Sequence, residues 1–447
     1  MTKDFTEGPV YRQLYLFSLP ILLTNFLQML MPLISSLWVG NLLGSAAFAA
    51  VTIGTTVTTL VLAFVIGMNN ATLTIFAQLR GGGEQEAMRS YLSAFIATML
   101  VLALVTIAVG VLFTEPLLIL LNAPDSILDL AARYLRIIFL GVLFLAGYNF
   151  IGAVLRAFGD SRTPLHFVLV ATVLNAIFAP LLIARLGIAG AAYATVLAQA
   201  AAFAYSLFWL ARKFGYRSLK LERPRFAQVR TILQLGVPSG AQMIVIYAGM
   251  TVILAIVNTF GAGVVAGFGA AQRLDNVILL PAVALGIAVN AMAAQNIGAQ
   301  DWGRVARITR AGLVYVLGIM LTIAALLFIF AEPLVRLFIQ DADSVGFGRD
   351  YLRIIAIFYP CIGLNFIFNG VVRGAGAMLQ VLALNIISLW LLRVPLTYLA
   401  TSIHGEAGIA LGIGISFFVS ALFSAAYYVW GGWRDRRLFQ NRTLAGS

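Results

Sequence analysis

The sequence predicts an all-α polytopic membrane protein of about twelve transmembrane helices, arranged as two pseudo-symmetric halves of six. Three observations carry that prediction. The 447 residues are 61% hydrophobic and only 10% charged, against about 25% charged and about 45–50% apolar in ordinary soluble domains. Apolar segments of about twenty residues recur along the whole chain, each long enough to cross a hydrocarbon core of about 30 Å as a helix. Finally, three separated strings of the first half recur in the second at an offset of 216 or 217 residues.

The elements follow in order. A polar opening of mixed charge, "MTKDFTEGPVYRQ", leads into an apolar stretch from Leu14 to Leu43. That stretch is longer than a signal-peptide core, so a first membrane span is expected here and no cleavable signal. The expected spans are 14–42, 48–78, 91–113, 131–157, 165–186, 188–211, 232–260, 264–295, 308–330, 351–373, 379–402 and 407–430. Of the 29 lysines and arginines, only Arg185, Arg336 and Arg349 fall in loops on one side, and Arg133, Arg136, Arg273, Arg353 and Arg393 fall within spans. The remainder crowd the other side, which the positive-inside rule makes cytoplasmic, with both termini. A multi-pass protein of the inner or plasma membrane is expected. The most basic segment, "ARKFGYRSLKLERPRFAQVR" (211–230), is the long polar stretch near the middle. It reads as a cytoplasmic linker between an N-terminal lobe (1–210) and a C-terminal lobe (231–430), followed by a cytoplasmic tail (431–447).

The lobes resemble each other. "FTEPLLILL" (113–121) recurs as "FAEPLVRLF" (330–338), "YLRIIFLG" (134–141) as "YLRIIAIF" (351–358), and "NFIGAVLRAFGD" (149–160) as "NFIFNGVVRGAGA" (365–377). Asn149 thereby matches Asn365. With an even number of spans per copy the copies share one orientation, a parallel repeat about an axis along the membrane normal. Transporters built this way place substrate at the repeat interface and rock one half against the other.

Several chemistries are excluded. The single cysteine, Cys361, rules out an internal disulfide and a cysteine-based metal cluster. His166 and His404 lie in or beside loops without a ligand-spaced partner, so no metal site is expected. The glycine run "LRGGGEQE" (79–86) lacks the lysine and hydroxyl of a phosphate-binding loop. No hydrolase constellation is present, so no catalytic residues, no enzyme activity and no cofactor are expected. The net charge of +12 sits in loops between apolar segments, which makes it a topology signal rather than a nucleic-acid surface.

Polar residues inside spans are what remains. Asparagines such as Asn149, Asn175 and Asn365 read first as interhelical hydrogen-bonding groups worth roughly 0.6–2 kcal/mol. Arg133, Arg136 and Arg353 stand near span ends and can reach the interface; Arg393 is deeper, roughly 20 Å from its predicted entry point. Asp275 is the one acid far from either surface, roughly 16 Å into its span. Arg273, two positions earlier, lies on a different helix face, so the two do not pair along the helix. Two readings of Asp275 stay open: an interhelical clasp, for example with Arg393, or a functional carboxylate.

The strings "SLPILLTNFLQML", "WVGNLLGSAAFAA", "LRAFGDSRTP", "LNAIFAPLLI" and "LGIAGAAYATVLAQ", then "LGVPSGAQ", "AAQRLDNVILLPA", "AAQNIGAQ", "VVRGAGAM" and "LLRVPLTYL", resemble the multidrug and toxic compound extrusion family over nearly the whole chain. The resemblance implies two six-helix lobes forming a V and export of small amphiphilic, often cationic, compounds in exchange for protons or sodium. Pro20 matches the proline at which the family's first helix bends, a consequence of its missing donor and ring clash. Ser36 and Ala179 stand where many bacterial members carry aspartates of the ion site, and only the neighbouring Asn175 is kept. Asp275 matches a position that tends to be acidic. Asp275 is thus the expected ion-coupling residue, with a proton favoured over sodium. Asn175, Ser36, Asn149, Arg273, Asn365 and Arg393 are the expected cavity residues, and Pro20 the hinge. A monomer acting on small molecules within the lipid bilayer is expected, without nucleic acid. The alternative is a flippase of a lipid-linked, anionic or zwitterionic substrate using Arg273 and Arg393.

Overall fold

The structure, a computed structural model, describes residues 3–120, 123–214, 222–436 and 438–439. Residues 215–221 of the predicted linker, and 437 and 440–447 of the predicted tail, lie outside the described residues.

The described chain is helical from end to end: α1 (Val10–Leu43), α2 (Ser45–Gly81), α3 (Gln85–Leu112), α4 (Thr114–Leu120), α5 (Asp125–Leu140), α6 (Val142–Ala157), α7 (Arg162–Leu186), α8 (Ile188–Phe214), α9 (Phe226–Asn258), α10 (Ala262–Ile278), α11 (Leu280–Gly298), α12 (Trp302–Arg336), α13 (Ala342–Ala356), α14 (Tyr359–Gly374), α15 (Met378–Ile386), a π-helical segment (Ile387–Arg393), α16 (Val394–His404) and α17 (Ala407–Trp430). Among the described residues nine helical stretches are long and apolar enough to cross a membrane, and eleven when two bent pairs each count as one span. The 37-residue α2 is a further long helix, so each of the twelve expected spans has a helical counterpart.

The bent pairs are α5–α6, at 43°, and α13–α14, at 52°. They break at repeat-equivalent places for different reasons. At the first, Gly141 lets α8 come close: a Cβ there would stand 2.7 Å from Val196. At the second, a proline (Pro360) opens α14, where its missing N–H costs nothing. The π segment precedes Pro395 in the same way. A proline ring clashes with the carbonyl four residues back, and widening the preceding turns accommodates it. Repeat-equivalent hairpins also join α7 to α8 and α16 to α17. Gly187 and Gly405 turn there with φ of 61° and 60°, a region that disfavours side chains. Three residues on, Gly190 and Gly408 bring backbone against backbone, since a Cβ on either would overlap the carbonyl of Leu182 or Ala400.

Two compact units result, one of Met1–Lys3 with Leu23–Val237, the other of Asp4–Leu22 with Pro238–Ser447. The sequence expectation drew residues 1–210 as one lobe; in the structure Asp4–Leu22 packs with the second unit. The reason is a clamp within that unit. Phe5 is fully buried, its N–H donates to Gln295 Oε1 at 3.0 Å, and its carbonyl accepts from Asn296 Nδ2 at 3.1 Å and Arg304 Nε at 2.7 Å. Arg304 also donates to the Gly8 carbonyl at 2.9 Å and to Gln13 Oε1 at 3.3 Å. Each division falls inside a helix, just after Pro20 in α1 and at Pro238 in α9.

Candidate functional site

In the second unit, α10 carries Asp275 into its last turn, just before the chain breaks at Leu279 and restarts with Pro281 near the head of α11. Two tyrosines meet it. Tyr351, from α13, donates its hydroxyl to Asp275 Oδ2 at 3.2 Å, and Tyr359, the first residue of α14, donates to Oδ1. The two rings therefore straddle the α13–α14 break, which turns both hydroxyls toward one carboxylate. Tyr351 is fixed by an edge-on contact with Phe268 at 5.4 Å and a tilted one with Phe347 at 6.2 Å. Both tyrosines are almost fully buried, and neutral donors of this kind satisfy a carboxylate without neutralising it.

Arg393 does not clasp Asp275. Its Nε donates to Ser416 Oγ at 2.9 Å, and its guanidinium lies 4.7 Å from the centre of the Phe417 ring. The π segment sets this geometry, because Arg393 is its last residue. Arg273 is exposed, with its guanidinium 5.8 Å from the Phe338 ring centre. Asn365 accepts from Asn369 one turn along the same helix, so its bond is local.

In the first unit, Asn175 is completely buried on α7. Its Oδ1 accepts from Ser35 Oγ at 3.0 Å, and its Nδ2 donates to Thr195 Oγ1 on α8 at 3.2 Å. The partner from α1 is Ser35; its neighbour Ser36, expected as a cavity residue, makes no hydrogen bond among the described residues and is half-buried. Ala179 lies one turn along α7, fully buried. The cluster Ser35–Asn175–Thr195 is closed and uncharged. Asn149 accepts from Gln28 Nε2 at 3.1 Å and donates to the Leu145 carbonyl at 2.9 Å. Pro20 is buried within α1, and the helix runs through it unbroken.

Sequence reasoning missed Tyr351, Tyr359, Ser35, Thr195 and Gln28. A signal existed for the tyrosines: Tyr351 opens the repeated string "YLRII", and its repeat mate Tyr134 is also buried. In the first half, however, Val142 stands at the position matching Tyr359, and no acid lies near the position matching Asp275. The acid–tyrosine arrangement belongs to the second half alone. Groups of His, Cys, Asp and Glu able to hold a metal ion are absent among the described residues.

Known proteins agree with this architecture. The family model MatE matches twice, over residues 20–181 and 238–399, each match opening on a proline of a helix that crosses between units. The chain is 49% identical over 441 residues to the "Probable multidrug resistance protein YpnP" of Bacillus subtilis (strain 168), covering 98% of this chain and 99% of that protein. It is 29% identical to the "Probable multidrug resistance protein YoeA" of the same organism, covering 98% of each. Among solved structures, the Vibrio cholerae MATE transporter VcmN in its bent form superimposes with a TM-score of 0.90 at 22% identity, covering 96% of this chain and 98% of that one. Two matches to one family model, in the two halves that the internal repeat defines, place the chain in the MatE family: it is a multi-pass membrane transporter and not an enzyme.

Proposed function

We propose that the protein exports small amphiphilic, mainly cationic compounds in exchange for protons, with Asp275 as the group that carries the proton. The observation behind this is the environment of Asp275: a carboxyl within a membrane span whose hydrogen-bond partners are two neutral tyrosine hydroxyls rather than a cation. A carboxylate locked to arginine would resist protonation, whereas one held by phenols can gain and lose a proton as it is exposed to each side in turn. Ser35, Asn175 and Thr195 cannot change charge, so coupling rests on the second unit. Relatives named as multidrug resistance proteins support the substrate class. We further read the protein as a monomer of the inner or plasma membrane with both termini cytoplasmic, as the lysine and arginine distribution favours.

The test is transport in proteoliposomes given cationic, zwitterionic and anionic dyes under an imposed pH gradient. Asp275→Asn should abolish gradient-driven export of the cationic dye yet leave downhill exchange. Unchanged gradient-driven export by a stable Asp275→Asn protein would overturn the coupling role, and preference for the anionic dye would point instead to a flippase-type substrate.

A further inference from the structure

A cavity of about 540 Å³ lies within the first unit, among α2, α3, α6 and α8. Its walls are almost wholly apolar, with Phe76, Phe150, Phe203 and Leu210 among them. Its volume is in the range of about 300–1,000 Å³ typical of ligand sites. It opens at the surface of the unit, since Leu100 and Leu207 on its lining are each 45% exposed.

The cavity has one polar end, at the start of α3. Gln85 and Arg89 are its polar lining residues, and both are exposed. The residue capping α3, Glu84, makes no side-chain capping bond; the Gln85 N–H donates to the Gly83 carbonyl at 3.0 Å, and the N–H groups of Glu86 and Ala87 keep their capacity to donate. Glu84 and Glu86 flank this end and are exposed, but neither lines the cavity. A second cation stands close by. The Arg80 guanidinium lies 5.2 Å from the ring centre of Phe158, another lining residue, and its Nε is buried without a hydrogen-bond partner. From Gln85 to Leu100 the helix climbs about 22 Å, more than the half-thickness of about 15 Å that one leaflet contributes to the hydrocarbon core. On the orientation that the basic loops predict, the polar end faces the cytoplasm.

We propose that this groove binds one acyl chain of an anionic phospholipid from the cytoplasmic leaflet, with the phosphate against Arg89, Gln85 and the open N-terminus of α3. The argument is complementarity at both ends. An apolar slot one leaflet deep suits a hydrocarbon chain, and an arginine beside unsatisfied helix donors suits a phosphate. A permanently cationic amphiphile would find an apolar slot of the right size but a repulsive mouth.

The experiment uses the full chain in phosphatidylcholine vesicles. Trace phosphatidylglycerol carrying a diazirine near the end of its acyl chain is compared with the same-chain phosphatidylcholine probe, and labelled peptides are mapped after photolysis. Labelling is normalised to α12, which also reports that each variant is folded. The phosphatidylglycerol probe should label α3 around Met99 and α8 around Leu207 about tenfold more than the phosphatidylcholine probe, whose phosphate is the same but whose choline brings a fixed positive charge to the arginine at the mouth. Arg89→Gln should reduce that preference to near unity, and Arg89→Lys should keep most of it. Leu92→Trp, which fills the slot, should remove labelling there by both probes. Equal labelling by the two probes in the unmodified protein would overturn the proposal. So would a preference that survives Arg89→Gln combined with Arg80→Gln. Displacement of both probes by ethidium at equal concentrations would also overturn it, marking the groove as an entry for cationic substrates.

Discussion

At the scale of single residues, neighbours in sequence have opposite fates. Ser35 and Ser36 are adjacent on α1, yet only Ser35 donates to Asn175. Removing its hydroxyl leaves Asn175 Oδ1 without that donor inside a closed cluster, whereas Ser36 has no such bond to lose. Ser35→Ala should therefore destabilise the protein by roughly 0.6–2 kcal/mol, the range for interhelical polar contacts in membranes. Ser36→Ala should change stability by less than about 0.5 kcal/mol. Unfolding of each variant in mixed micelles measures the difference, and equal effects would show that the bond contributes nothing. At Asp275, Tyr359→Phe keeps the ring and deletes one donor. Gradient-driven export should fall about ten- to a hundredfold, because a bond to a charged group carries about 1.5–3 kcal/mol. Tyr134→Phe is the matched control in the first half, where no acid faces the ring. A comparable loss from Tyr134→Phe would mean that burial of the phenol, rather than its bond to Asp275, matters.

At the scale of elements, irregularities in helices do the positioning. The α13–α14 break lets Tyr351 and Tyr359 converge, and the π segment ahead of Pro395 brings Arg393 to Ser416 and Phe417. Pro395→Ala would permit a regular helix, whose tighter winding turns Arg393 by a fraction of a turn relative to α17. The amino-terminal stretch is held just as specifically, since Arg304 donates to four acceptors, the carbonyls of Phe5, Glu7 and Gly8 and Gln13 Oε1. Arg304→Ala removes all of them at once. Limited trypsin digestion of the purified variant should then cut at the exposed Arg12 several times faster than in the unmodified protein, while cleavage elsewhere is unaltered. Unchanged cleavage at Arg12 would show that burial of Phe5 alone retains the segment.

At the scale of the whole molecule, the internal repeat and the family model describe the same two halves. The symmetry is one of scaffold rather than chemistry. Breaks, hairpin glycines and helix-crossing prolines recur in both halves, whereas the acid with its two tyrosines occurs only in the second. The orientation predicted from basic loops yields a direct measurement. In a Cys361→Ala background, Arg225→Cys should react with a membrane-impermeant thiol reagent only from the cytoplasmic face, and Arg185→Cys only from the opposite one. The reverse pattern would invert the topology and place the polar end of the α3 groove outside.

The spans, the internal repeat and the family were legible in the sequence, because each depends on local composition or on strings that match along the chain. Asp275 was legible too, as an acid stranded far from both surfaces. Which groups meet it was not. Successive residues of a helix point about 100° apart, so the partner of any side chain is settled only when helices distant in sequence pack together. Tertiary packing alone chose Ser35 over Ser36, gave Asp275 two phenols instead of Arg393, and drew Asp4–Leu22 into the second unit. Contacts of this kind join residues dozens to hundreds of positions apart, such as Phe5 with Gln295. The hydrophobic pattern, which says only which residues avoid water, holds no record of them in a chain where almost every helix face is apolar.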